Sequence, residues 1–325
     1  MAAAERGVDE FTLIARCFAP LARDAQAFSL TDDAALITPP AGQAVVVTKD
    51  MMVEGVHFLP LEAPGLIARK LLRVNLSDLA AMGAAAHGYA LGLALPRGTA
   101  QSWVADFAAG LADDQDAFGV SLLGGDTVAT PGPLTLSLTA FGFVAPGQAL
   151  RRAGARPGDA LFVSGTIGDA ALGLRLAGEE AGAEAAFLIE RYRLPRPRLA
   201  LGRALVGLAS AALDISDGLI ADIGHLARAS GVRAVVRRDQ VPLSEAARTL
   251  LAGDAGLWSV ILTGGDDYEL AFSVPPGQVA DVVRLARDRA LPLTRVGHFE
   301  AGAGLMVLDG AGAPVDYGPG GYTHF

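Results

Sequence analysis

Six aspartates stand at the ends of apolar segments or inside them. Asp33 closes an Asp32-Asp33 pair ahead of the apolar run 34–37. Asp50 follows Val45-Val46-Val47-Thr48-Lys49. Asp78 is set within an apolar helical pattern, and Asp126 follows Leu122-Leu123-Gly124-Gly125. Asp214 and Asp217 frame Ile215-Ser216 after Ala211-Ala212-Leu213. A further pair, Asp266-Asp267, follows Ile261-Leu262-Thr263-Gly264-Gly265. Aspartate is normally exposed. An ionised carboxylate among apolar residues is costly unless it is paired or binds a metal. Ammonium partners are scarce, since the lysines are Lys49 and Lys70 alone. Magnesium takes one or two carboxylates and fills its shell with water and phosphate oxygens. Converging aspartates of this kind would form a cation cradle for a polyphosphate. The Gly-Gly turns expected before Asp126 and Asp266 would let backbone N–H groups approach phosphate oxygens. Any one of these aspartates, taken alone, also reads as a turn former or helix cap. Asp24, Asp113, Asp114 and Asp116 read as solvent-facing.

Other chemistries drop out by motif and charge. There is no Gly-x-x-x-x-Gly-Lys-Ser/Thr, so this is not a P-loop protein. Val46-Val47-Thr48-Lys49 is not followed by the His-Arg-Asp or Asp-Phe-Gly of a protein kinase. No Gly-x-Gly-x-x-Gly, His-Glu-x-x-His or Gly-x-Ser-x-Gly occurs. With 26 Lys+Arg against 35 Asp+Glu the formal charge is −9, which argues against nucleic acid as a partner. One cysteine, Cys17, excludes a disulfide framework or Cys-rich zinc site and fits a cytoplasmic protein. Glu5, Asp9 and Glu10 do not make a secretory signal. Residues 79–96 lack charge but break at Gly83 and Gly88. They read as a helix end followed by a buried strand, not as a membrane span.

The elements that must position these residues follow from periodicity. Residues 9–18, 65–82 and 101–118 read as helices, and 44–48 and 134–143 as strands. Asn75 and Asp78 lie three apart on the second helix. The Gly-, Pro- and Arg-rich stretch 146–159 marks a boundary near residue 147, giving domains 1–147 and 148–325. In the second half, 160–164, 260–262, 268–274, 293–297 and 305–308 read as strands. Residues 169–177, 184–192, 198–209, 219–229 and 278–289 read as helices. Strands and helices mixed in both halves indicate a mixed α/β (α+β) class. The 40 glycines are about 12% of the chain against a usual ~7%. They are expected in ordered turns and close-approach loops.

At these residues the sequence resembles the thiamine-monophosphate kinase family, in the superfamily of aminoimidazole-ribonucleotide synthetase and selenophosphate synthetase. The resemblance runs nearly end to end. It is carried by segments 11–15, 32–36, 50–58 (Asp-Met-Met-Val-Glu-Gly-Val-His-Phe) and 74–83 (Val-Asn-Leu-Ser-Asp-Leu-Ala-Ala-Met-Gly). It continues through 124–127, 152–159, 164–169, 214–219 (Asp-Ile-Ser-Asp-Gly-Leu), 264–270 (Gly-Gly-Asp-Asp-Tyr-Glu-Leu) and the terminal Gly321-Tyr322-Thr323-His324-Phe325. It implies ATP-dependent phosphorylation of thiamine monophosphate to thiamine diphosphate with several Mg²⁺ ions. It also implies a homodimer whose first-half sheets pair, with the active site in the interdomain cleft. Laid onto matching positions, it makes Asp33, Thr48, Asp50, Asp78, Asp126, Asp214 and Asp217 metal ligands. Asp50, Asp78 and Asp126 are the catalytic carboxylates among them. Gly125, Asp126, Arg152 and Ser216 become nucleotide contacts. His57, Asp266 and Tyr322 become substrate contacts. His87, His225, His298 and Cys17 stay structural.

Three positions depart from the family pattern. Thr31 replaces a glycine, Lys49 replaces Thr or Ser, and Asp266 replaces Glu. On a regular strand Lys49 points away from Thr48 and Asp50, as a surface lysine would; alternatively its ammonium reaches the phosphates. Other functions stay open at this point: another ATP-dependent enzyme of the superfamily such as an aminoimidazole-ribonucleotide synthetase, or a non-catalytic nucleotide-binding regulatory protein. Selenophosphate synthesis would need a reactive Cys beside a lysine. Carbamoyl dehydration would need a C-terminal cysteine.

Overall fold

The structure is a computed structural model that describes residues 10–178, 182–318 and 320–322. Asp9 and the terminal 323–325 lie outside the described residues. The chain separates into two compact units. The division is not a single cut, because the short stretch Ala80–Ala84 clusters with the second unit, Pro146 onward.

The first unit is a four-stranded mixed sheet with two long helices. Its strands are β1 (Ala44–Val53), β2 (Ala85–Pro96), β3 (Ser121–Thr130) and β4 (Thr135–Val144), in the order β1-β4-β2-β3. Its helices are α1 (Glu10–Leu13), which runs on as helical turns to Leu21, α2 (Pro64–Ala81) and α3 (Gln101–Phe118). Residues 121–130 form an edge strand where the sequence suggested a glycine turn. Gly125 sits opposite Leu91 in a parallel pairing, and a Cβ there would collide with the Leu91 carbonyl. Gly125 permits close strand approach rather than a turn.

Alternation sorts the sheet into two faces. Tyr89, Leu91, Leu93, Leu136 and Leu138 are buried on one of them. Both long helices lie against that face: Asn75 of α2 accepts from the Asp50 amide at 3.1 Å, and Gln115 of α3 donates to Tyr89 Oη at 3.0 Å. Asp114 belongs to the same interior. It is fully buried, with Arg73 Nε at 2.6 Å and Arg69 Nε at 3.0 Å. This corrects its assignment to solvent, because two arginines one turn apart on α2 converge on a carboxylate of α3. Asp116 pairs with Arg23 at the surface.

The second unit carries a seven-stranded sheet. The strands are β5 (Ala160–Ser164), β6 (Ala211–Asp214), β7 (Arg233–Arg237), β8 (Leu270–Val274), β9 (Leu293–Glu300), β10 (Gly304–Leu308) and β11 (Pro314–Val315), in the order β11-β10-β7-β9-β5-β8-β6. The helices are α4 (Asp169–Leu176), α5 (Ala183–Arg193), α6 (Leu199–Leu205), α7 (Leu219–Ser230), α8 (Glu245–Gly253), α9 (Leu257–Thr263) and α10 (Val279–Asp288). Both faces of this sheet are covered. Leu161, Val163, Leu213 and Ala271 enter one apolar cluster, while Phe162, Ala212, Phe272 and Val274 enter another. That is why β5, β6 and β8 read as continuous apolar runs. The mixed α/β expectation holds. Residues 260–262, expected as a strand, belong to α9 instead. Ile261 and Leu262 are both fully buried, and a short apolar run buried on all sides has no period to tell helix from strand.

Candidate active site

Each unit brings together its own group of candidate side chains. In the first, alternation along β1 turns Thr48 and Asp50 towards α2 and Lys49 to the opposite face. Thr48 Oγ1 donates to Asp78 Oδ2, and Asn75, three residues before Asp78, receives the Asp50 amide. Asn75 is fully buried and anchors itself through Nδ2 to the Leu71 carbonyl at 2.9 Å. Burial, with the Asp78 charge beside it, pushes the Asp50 carboxyl up to about 7. The donors are hydroxyl and carboxylate oxygens, the hard set that suits magnesium rather than a softer metal. A bound cation of this kind would offset the repulsion between the two neighbouring carboxylates. Lys49 Nζ donates to Ser137 Oγ on the far face, where the surface-lysine reading put it.

His57 follows β1 in a tight loop. Its Nδ1 accepts the Val53 amide at 3.0 Å, so Nδ1 carries no proton in that bond. Its carbonyl accepts from Lys70 Nζ at 3.2 Å, and Lys70 is itself buried. The ring is thereby held in a fixed orientation at the end of β1.

Asp33 and Asp126 meet elsewhere in the unit. Both line a cavity with Asp32, Gly124, Gly125 and Thr127, at the β3 edge of the sheet. The row Met51–Ser137–Gly92–Asp126 crosses all four strands. It puts Asp126 on the face opposite Asp50. Three strand spacings of ~4.8 Å also separate β3 from β1 by roughly 14 Å, more than one cation can bridge. Within the chain, then, Thr48, Asp50 and Asp78 come together, and so do Asp33 and Asp126, but the two sets do not. The segment before Asp32 is strained: Phe28, Ser29 and Leu30 all have positive φ, at 48°, 54° and 61°.

In the second unit two loops are zipped together beyond the ends of β6 and β8. The Asp266 amide donates to the Ser216 carbonyl at 2.9 Å and the Tyr268 amide to the Ile215 carbonyl at 2.8 Å. Gly265 is required here, since a Cβ would strike the Ser216 carbonyl. Asp214 closes β6 and is buried. The Tyr322 amide reaches the Asp217 carbonyl at 3.2 Å, while its side chain is exposed. Asp222 of α7 accepts three successive amides, from Ser216, Asp217 and Gly218, at 3.0, 3.0 and 3.1 Å. Burial, then the Asp217 charge, pushes its carboxyl up to about 7, against those donors and the Arg152 charge. Asp217, Asp222 and His225 place ligand atoms within 4.8 Å of one another. His225 thus adjoins the site although the sequence reading left it structural. Ser216, Asp217, Asp266 and the Tyr322 backbone therefore lie together, with the Arg152 charge beside Asp222, while Asp214 closes β6 on the face it shares with Ala212.

Family models described as AIR synthase related protein, N-terminal domain and C-terminal domain, match residues 31–144 and 156–309. A thiamine-monophosphate kinase of Caulobacter vibrioides is 46% identical over 302 residues, covering 91% of this chain and 85% of that protein. The chain belongs to the thiamine-monophosphate kinase family. A crystal structure of thiamine-monophosphate kinase from Stenotrophomonas maltophilia matches with a TM-score of 0.80 at 44% identity, covering 86% of this chain and 89% of that one. A structure of AaThiL complexed with AMPPCP and TMP matches with a TM-score of 0.79 at 31% identity, covering 90% and 91%.

Beyond the residues assigned by family resemblance, the structure adds others. Asn75 and Asp222 hold the backbone of Asp50 and of the 216–218 loop. Asn75 was visible in the sequence as a polar residue at helical spacing from Asp78. Asp222 had only its place inside an apolar helix as a signal. Arg191, Arg198 and Glu269, met below, had none that local spacing could reveal.

Proposed function

We propose that this chain is a thiamine-phosphate kinase that transfers the γ-phosphoryl group of ATP to the phosphate of thiamine monophosphate, giving thiamine diphosphate. What carries the proposal is the oxygen-only donor group of Thr48, Asp50 and Asp78, in a chain aligned over 91% of its length with a thiamine-monophosphate kinase. The binding of AMPPCP and TMP by AaThiL supports the same substrates here. The nucleophile is a phosphate oxygen carrying about −1.5 to −2 charge at neutral pH. It needs no strong general base, and direct in-line transfer without a phosphoenzyme follows.

In the first half, Asp33, Thr48, Asp50, Asp78 and Asp126 would hold magnesium; in the second half, Asp214 and Asp217 would do so. Bound magnesium would supply the positive charge that lets two anionic phosphates approach and steadies the transferring group. Gly125, Asp126, Arg152 and Ser216 would bind the nucleotide. His57, Asp266 and Tyr322 would bind thiamine monophosphate, with His57 oriented by the Val53 amide. Arg152 adds a fixed cation beside the 216–218 loop.

The working form is proposed as a homodimer formed through the outer face of the first-unit sheet. Val45, Val47 and Met51 of β1 are 40%, 58% and 52% exposed there, and Val128 of β3 is 51% exposed. A face this apolar invites a partner. Asp126 lies on it too, so the dimer would govern what reaches that carboxylate. Among the described residues no helix is long and apolar enough to cross a membrane, and a cytoplasmic location is proposed from composition. A coupled assay with thiamine monophosphate and Mg-ATP, following thiamine diphosphate, tests the function. Product formation is expected. ATP consumption with another acceptor but none with thiamine monophosphate would overturn it.

A further inference from the structure

One buried ion network in the second unit includes none of the residues assigned above to metal, nucleotide or substrate. Glu269 is fully buried. It accepts from Arg191 Nη2 at 2.9 Å, from Arg198 Nε at 2.6 Å and from Ser164 Oγ at 2.6 Å, and Arg198 Nη2 donates to it as well. Two residues earlier, Asp267 is also fully buried. It accepts the Gly168 and Ala170 amides at the start of α4, at 2.6 and 3.2 Å. Arg191 Nη2 reaches the Asp267 carbonyl at 3.3 Å. The two inward acids therefore alternate with Asp266 and Tyr268, which are not buried.

Asp266 and Tyr268 have φ of +73° and +50°. Non-glycine residues leave the left-handed region unless the surroundings over-determine them. The two backbone bonds to the 215–216 strand end contribute to this. The pinned side chains of Asp267 and Glu269 restrain the loop further. A buried ion network adds little net stability over apolar packing, and its best-attested use is to specify one conformation. Its place directly under a strained loop fits that use.

We infer that Arg191 and Arg198, acting through Glu269, are positioning residues that hold the 264–268 loop in the shape that presents Asp266 beside Ser216. The functional part of this inference rests on Asp266 being a substrate contact, as proposed above; the structural part does not. Arg191 is 2% exposed and holds the Asp267 carbonyl as well as Glu269, so its loss would empty a buried position. Arg198 is 19% exposed, and without it Glu269 keeps Arg191 and Ser164, so Arg198 is the residue to change.

The test combines amide hydrogen exchange with steady-state kinetics on the full-length protein. In Arg198→Gln, exchange over 264–268 is expected to quicken about tenfold or more, while α2 and α7 stay at wild-type rates. KM for thiamine monophosphate is expected to rise about tenfold, with kcat and KM for Mg-ATP within about threefold. Arg198→Lys, which keeps the charge but loses the two-pronged donor, should fall between. A lowered melting temperature with wild-type loop exchange and wild-type KM would overturn the inference. Should Arg198→Gln fail to fold, Arg198→Lys decides: faster exchange confined to the loop supports the role, and uniform acceleration across the unit overturns it. If wild type itself leaves thiamine monophosphate untouched while loop exchange still quickens in Arg198→Gln, the substrate proposal fails and the loop role stands.

Discussion

At the scale of single residues, the Thr48–Asp50–Asp78 corner sets two half-buried carboxylates side by side. Asp50 titrates at about 7, mainly through burial and secondly through Asp78. The metal-free folded protein therefore holds a proton that the unfolded chain, at an ordinary carboxylate value, gives up. Stability from this group is greatest in acid and is lost as pH rises through about 7. Urea midpoints of chelator-treated protein should fall between about pH 5 and about pH 8, and Asp50→Asn should remove part of that slope and leave the part due to Asp222. Magnesium should bind more tightly as pH rises through the same range, because a proton no longer competes with it. Titration calorimetry in buffers of different ionisation heat reads the proton released. Asp78→Asn and Asp126→Asn should each cut turnover at least about 100-fold, more than the ~10–100-fold that losing a ligand's own hydrogen-bond partner costs. Circular dichroism should stay native. Near-normal turnover in both would sink the cation cradle. The sequence displayed these aspartates plainly. It did not display that Asp126 faces away from Asp50, since that depends on a register running through β4 and β2.

At the scale of elements, position follows from period. Alternation along β1 separates Lys49 from Thr48 and Asp50, and helical spacing puts Asn75 and Asp78 on the face of α2 that meets them. Both were legible in the sequence because each needs only one element's geometry. The pairing of α2 with α3 was not. Asp114 looked like one of three surface acids in 113–116, yet it lies between Arg69 and Arg73 with no exposure. Asp114→Ala would leave two partly buried guanidiniums without their shared carboxylate, and should cost about 3 kcal/mol of folding stability. Chemical denaturation measures this. The folded fraction should keep wild-type kcat, since Asp114 touches none of the proposed ligands. A loss below about 0.5 kcal/mol, the range of ordinary surface changes, would show that the pair does not bind α3 to α2. The 264–268 loop teaches the same lesson: its shape is set by Glu269, Arg191 and Arg198, which lie up to 78 residues apart.

At the scale of the whole molecule, the apolar outer face of the first sheet argues for a second copy. Val47→Arg places a charge at its most exposed apolar position on β1. Light scattering should then show a shift from dimer to monomer, and activity should fall with it. An unchanged mass would remove the face from consideration. The sequence by itself determined the mixed α/β class, most helices and strands, the placing of aspartates beside apolar segments and the family resemblance. These depend on local period and on motifs read in order. Only the tertiary structure decided that the Gly124–Asp126 motif is an edge strand, that Asp114 is interior, that 260–262 is helical, and that the site aspartates gather in separate groups. Each of those outcomes turns on which segment packs against which. A short apolar run or a lone carboxylate takes its conformation and charge state from neighbours that are distant in the chain, and no local pattern names them.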